Sequence, residues 1–104
     1  HDVVLFLGVL YHLKHPLLAL EKVASVADEL VVVETEIDLC GVQEPAMRFY
    51  PGTELGGDPS NWWGPNPAAV LAMMKTVGLK DCKMVHKRNH NPEQGRAVFH
   101  GHVA

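Results

Sequence analysis

The chain predicts an α/β fold, and three observations carry that expectation. Residues 2–10 form a continuous apolar run rich in β-branched residues, the signature of a strand buried on both faces. Residues 29–37 form a second run of the same kind. Between them lies a segment whose apolar residues recur at helical spacing. Strand, amphipathic helix and strand within about 37 residues make a βαβ unit with parallel strands.

The first run stops at Tyr11-His12-Leu13-Lys14-His15-Pro16, which turns an apolar strand into a polar end. Pro16 suits the first turn of a helix, where its missing N–H costs nothing. Leu17, Leu20, Val23, Ala24 and Ala27 mark the expected buried side of that helix, and Glu21, Lys22 and Ser25 its wet side. The second strand also ends in polar residues, Glu34, Thr35, Glu36 and Asp38. Parallel strands place both ends on one edge of the sheet, where open α/β sheets bind their ligands.

Residues 38–65 change character. Pro45, Pro51, Pro59 and Pro65, together with five glycines, exclude a long regular element. Arg48, Phe49, Tyr50, Trp62 and Trp63 give the segment enough surface to bury, which argues against disorder. Two readings fit: aromatics covering one end of the sheet, or a lid facing a substrate. Asn66-Pro67 then reads as an N-cap with proline in the first turn. The helix it opens runs through Val70, Leu71, Met74 and Val77 to Gly78, a left-handed cap. Residues 79–87 and 96–103 follow as strands around the polar turn 89–95, closing the chain with an antiparallel hairpin.

The composition fits one domain over residues 1–104, with 47% hydrophobic residues to build a core. A net charge of -3 gives no pull toward nucleic acid. No apolar stretch is long enough to span a bilayer and no signal peptide is legible, so a cytoplasmic location is expected. Cys40 and Cys82 stand far apart without zinc-ligand spacing and read as reduced, buried thiols. His86, His90, His100 and His102 cluster near the hairpin, and His100 and His102 share a strand face. No carboxylate or cysteine falls at matching spacing, so no metal site is expected.

The words of the sequence carry a resemblance. Gly8-Val9-Leu10-Tyr11-His12 followed by His15-Pro16, then Asn61-Trp62-Trp63 with Pro67 and Val77-Gly78-Leu79, and last Arg96-Ala97-Val98, span nearly the whole chain. Together they resemble the C-terminal half of a class I S-adenosylmethionine-dependent methyltransferase. They are most similar to the tRNA wobble-uridine carboxymethyltransferase and mo5U-methyltransferase-like family. The resemblance implies a partial Rossmann-like sheet: two parallel strands with a crossover helix, then a helix and an antiparallel hairpin. Leu7 stands where the carboxymethyltransferase has methionine, and Leu13 and Lys14 where it has arginines. The loop 48–59 is also longer here.

The resemblance further implies S-adenosylmethionine, or its carboxylated form, as donor, with Leu7, Gly8, Tyr11 and Arg96 near the donor's reactive group. A guanidinium at Arg96 suits a donor carboxylate. His12, whose ordinary pKa lies near neutrality, is the candidate general base. Arg48, Tyr50, Trp62 and Trp63 are the substrate-side or lid candidates. Transfer to an oxygen is the implied reaction, with tRNA as acceptor unsupported by charge. No glycine-rich strand-to-helix turn is present, so the donor-binding half is missing and the chain by itself is expected to bind no donor and to be inactive. The rival reading is a non-enzymatic module that binds a partner or itself. No charge interrupts Val3 to Tyr11, and strand 2–10 has no proline, lysine or bulge to blunt it, so a homo-oligomer through that strand is expected.

Overall fold

The computed structural model describes residues 2–103. The elements are β1 (Val3–Leu7), a 3-10 turn (Leu10–His12), α1 (Pro16–Val26), β2 (Leu30–Ile37), β3 (Met47–Phe49), β4 (Trp63–Pro65), α2 (Pro67–Thr76), β5 (Lys80–Asn89) and β6 (Gly95–His102). One sheet holds β1-β2-β6-β5 in that order, and β3 and β4 form a separate two-stranded ribbon. β1 and β2 are parallel, with Leu7 beside Glu34; β2 with β6 and β5 with β6 are antiparallel. This is the predicted α/β half-sheet: parallel pair, crossover helix, second helix and terminal hairpin.

Alternation along β2 and β6 sorts the two faces. Val31, Val33 and Ile37 of β2 and Ala97 and Phe99 of β6 point into a core shared with Leu20 of α1 and Val70 and Met74 of α2. Both helices therefore serve one face. The other face, with Val32, Glu34 and Glu36 of β2 and Arg96 and Val98 of β6, is only half-buried.

The first strand is shorter and more open than the apolar run implies. It ends at Leu7 because Gly8 turns into the left-handed region (φ 66°), and the chain then winds into the 3-10 turn. Its N–H still reaches the Glu34 carbonyl at 2.9 Å, so Gly8 is the last rung of the parallel ladder. The expectation of burial on both faces fails: Val3, Leu5 and Leu7 are 47%, 63% and 48% exposed, because β1 is an edge strand with helix packing on one side only. The opposite edge is different. β5 carries Lys80, Lys83, Lys87 and Arg88 and two register shifts, features that blunt an edge.

Residues 38–65 are not structureless. Arg48 pairs with Gly64 in the β3–β4 ribbon, and the Tyr50 N–H bonds the Trp62 carbonyl at 2.9 Å. Asn66 fastens the base of this loop. Its Oδ1 caps α2 through the Ala69 N–H (2.8 Å) and also accepts from the Ala46 N–H, while Nδ2 donates to the Val42 and Glu44 carbonyls. The residue is fully buried, so the predicted N-cap is also the knot of the loop. α1 departs from expectation at one residue: Leu17 is exposed rather than buried.

Candidate functional site at the carboxyl edge of the sheet

The ends of β1 and β2 and the start of β6 meet at one edge, and the predicted residues Gly8, Tyr11 and Arg96 meet with them. Arg96 sits opposite Glu36 in the β2–β6 register. Its Nη1 donates to Glu36 Oε1 at 3.0 Å, and its Nε lies 3.3 Å from Glu34 Oε2. Its Nη2 donates to the Tyr11 hydroxyl at 3.3 Å and to Glu34 Oε1 at 3.4 Å. The guanidinium also lies 5.5 Å from the Tyr11 ring centre, within cation–π range. Burial works against the Arg96 charge, but the Tyr11 hydroxyl and Glu34 carboxylate outweigh it and hold the side chain more firmly protonated than usual.

Glu34 and Glu36 are the partners that sequence reasoning left unassigned. Their i, i+2 spacing on a strand puts both on the face of Arg96, a signal present in the sequence. Glu36 Oε2 is buried and, among the described residues, accepts no hydrogen bond; His90 Nε2 lies 3.5 Å from it, an ion pair only when His90 is protonated. Arg88 stands opposite Arg96 across β5–β6, so the two carboxylates at this edge are matched by two guanidiniums. A small polar cavity of about 230 Å³ lies beside it, lined by Glu34, His86, Arg88 and Arg96 among others. Gly8 packs closely here: a Cβ at that position would sit 3.1 Å from Arg96 Nη2. Leu7 lies on the open face at the end of β1, exposed.

His12 points elsewhere. Its Nδ1 is 3.1 Å from the Ser60 carbonyl oxygen and 3.3 Å from the Ser60 hydroxyl. An Nδ1–H donated to that carbonyl leaves Nε2 as the basic nitrogen. Its ring stacks obliquely on Tyr11, with centres 4.3 Å apart.

The lid candidates divide. Tyr50 is buried, donating its hydroxyl to Asp38 Oδ2. Asp38 also receives Arg48 Nε at 3.2 Å, Gln94 Nε2 at 3.1 Å and the Leu39 N–H at 2.7 Å. This cluster ties the loop to the β5–β6 turn, with Arg48 reaching Glu93 as well. Tyr50 and Arg48 are therefore fasteners of the loop. The Trp62 ring lies under the Lys14 ammonium at 5.1 Å, and the Trp62 backbone N–H donates to the Tyr11 carbonyl at 2.8 Å. Trp63 donates Nε1–H to the Lys14 carbonyl at 3.3 Å and packs on Phe49. The loop aromatics thus cover the sheet end and brace the Tyr11 segment.

Cys40 and Cys82 are free thiols, and burial pushes the Cys82 thiol up. Among the described residues no three His, Cys, Asp or Glu side chains converge as metal ligands, and no helix is long and apolar enough to cross a membrane.

The fold is a mixed α/β sheet: a parallel pair with a crossover helix, a second helix and an antiparallel hairpin. It is shared with the N-terminal domain of EvdMO1, solved with SAH bound: 20% identity, TM-score 0.72, covering 99% of this chain and 46% of that one. The same domain in the presence of SAH and D-fucose matches at 20% identity and TM-score 0.70, over 99% of this chain and 47% of that one. EvdMO1 itself matches at 22% identity and TM-score 0.63, over 97% of this chain and 20% of that one. The chain thus spans about half the length of the EvdMO1 domain structures it matches. No protein-family model and no curated protein matches.

Proposed function

We propose that this chain is the acceptor-side half of an S-adenosylmethionine-dependent methyltransferase domain, acting on an oxygen nucleophile when the donor-binding half is supplied. The observation that carries this reading is the likeness, along 99% of the chain, to a domain solved with SAH bound. The Tyr11–Arg96–Glu34 cluster at the carboxyl edge of β1 and β2 supports it. When bound, the donor supplies an electrophilic carbon on a cationic sulfur. The partly exposed Glu34 carboxylate suits that cation. These residues suit only the reactive end of a donor, since no glycine-rich turn among the described residues could hold its nucleotide.

A carboxylated donor fits less well. All three Arg96 nitrogens already face Glu34, Glu36 or Tyr11, so a bidentate clasp on a donor carboxylate would displace one of the glutamates. Plain methyl transfer is the better reading, and carboxymethyl transfer the weaker one. His12 Nε2 is the candidate base for an acceptor hydroxyl. Enzymes of this kind work chiefly by holding donor and acceptor in line. The presence of D-fucose with the EvdMO1 domain suggests a sugar hydroxyl as acceptor, which the net charge of -3 favours over tRNA. Free Cys40 and Cys82 suit a reducing, cytoplasmic setting.

The bare β1 edge favours a second reading, a non-enzymatic module that pairs with its own copy. Calorimetry with SAH separates the two. The 104-residue chain should give no binding, and the longest reading frame containing it should bind in the micromolar range. Absence of binding in both would favour the module.

A further inference from the structure

On the helix side of the molecule, α1, the β3–β4 ribbon and α2 leave a cleft of about 600 Å³ between them. Its walls are Leu17, Leu18, Met47, Trp63 and Met73. Leu17 and Leu18 are 44% and 50% exposed, at the first turn of a helix that sends Leu20, Val23 and Ala24 toward the core. The cleft continues past Leu17, Met47 and Met73 into a second hollow of about 280 Å³ lined by Ala69 and Ala72. Two methionines give such walls the capacity to refit around different shapes.

The charge of the rim is one-sided. Lys14 and His15 are the ionisable side chains lining either hollow, and no carboxylate lines them. α1 begins here without a side-chain cap and without an acidic residue in its first turn, so its positive end is not neutralised locally. Lys14 lines the cleft, its ammonium 5.1 Å from the Trp62 ring and its carbonyl accepting from the Trp63 indole N–H. An apolar cavity of this volume with a few convergent polar groups has the make-up of a small-molecule site.

We infer that this cleft binds a small amphipathic anion: an apolar body against Leu17, Met47, Trp63 and Met73, and a carboxylate or similar group at Lys14 and His15. The inference goes beyond the transfer reaction and does not need a donor.

The test uses the four methionine methyl groups as reporters in the full 104-residue chain. Met47 and Met73 line the cleft; Met74 is buried in the core and Met84 lies on β5. With 13C-methyl methionine, titration with 4-phenylbutyrate should shift Met47 and Met73 saturably and leave Met74 and Met84 in place. The uncharged 4-phenylbutanol should bind at least several-fold more weakly, and Lys14→Glu should erase that difference. Leu17→Glu, at a position already exposed, should abolish the shifts without unfolding the chain. Equal affinity for acid and alcohol, uniform movement of all four methyls, or no shift at millimolar ligand would each overturn the inference. So would Met47 and Met73 signals that move with protein concentration alone, which would mark a second copy as the occupant.

Discussion

Tyr50 donates its hydroxyl to Asp38 Oδ2 over 2.5 Å, and neither residue is more than 2% exposed. Loop 38–65 therefore closes on a buried carboxylate as well as through its backbone bonds. Gly64 shows how tight the fit is. A Cβ there would run into the Tyr50 hydroxyl and lie 2.8 Å from Asp38 Cβ.

Tyr50→Phe should destabilise the chain by about 1–3 kcal/mol, the cost of leaving a buried charged acceptor short of a donor. Urea unfolding measures this. A loss below a few tenths of a kcal/mol would mean that Arg48 and Gln94 satisfy Asp38 alone.

Burial, reinforced by the Asp38 hydrogen bond, raises the Tyr50 pKa well above its ordinary value. The folded state thus favours the neutral phenol. Its contribution to stability is complete below the unfolded phenol's pKa near 10 and is lost as pH rises above it. Wild-type stability should fall above about pH 10, and Tyr50→Phe should flatten that fall. Parallel curves would exclude Tyr50 as the cause.

Arg96→Leu should leave Glu34 and Glu36 on one strand face without their paired guanidinium. The three side chains are partly exposed, so solvent screening limits the cost to about 1–2 kcal/mol. Adding Glu34→Gln to Arg96→Leu should recover part of that loss. Additive losses in the double variant would show that the glutamate and arginine are not coupled.

Asn66→Ala should cost more than the roughly 1 kcal/mol of an ordinary N-cap. It also strips partners from the Ala46 N–H and from the Val42 and Glu44 carbonyls, so a loss of about 3 kcal/mol is expected by thermal or urea denaturation. A loss near 1 kcal/mol would mean that the loop re-forms its bonds with water.

Light scattering at ~100 μM should find the chain associated through β1, and Leu5→Lys should return a folded monomer, since Leu5 contributes little to the core. A folded, monodisperse monomer of the unmutated chain would rule out pairing through this edge.

The βαβ unit, the Asn66 cap and the terminal hairpin were legible in the sequence because each rests on local signals: periodicity, a cap beside proline, a polar turn. The length of β1 was not. The apolar run continues to Leu10, but Gly8 leaves the strand, and a single left-handed residue has no periodicity to announce it. Helical spacing puts Leu17 on the buried side because it locates a face but not where the neighbouring ribbon stops covering it. The partners of Asp38 lie 12 and 56 residues away at Tyr50 and Gln94, and only the tertiary fold brings them together. For Arg96 the sequence suggested a site and missed its occupants: Glu34 and Glu36 become its neighbours once β6 pairs with β2.

The two ends of the sheet differ in a way that sets how far it can grow. β5 presents four basic side chains and an interrupted ladder, which repel another copy of the same edge. β1 presents a neutral row. A sheet with one receptive border and one guarded border accepts a single addition and then has only guarded borders left. Pairing of two copies through β1, if it occurs, would thus be self-terminating: only the two β5 borders would remain outside, giving a closed pair rather than a fibre.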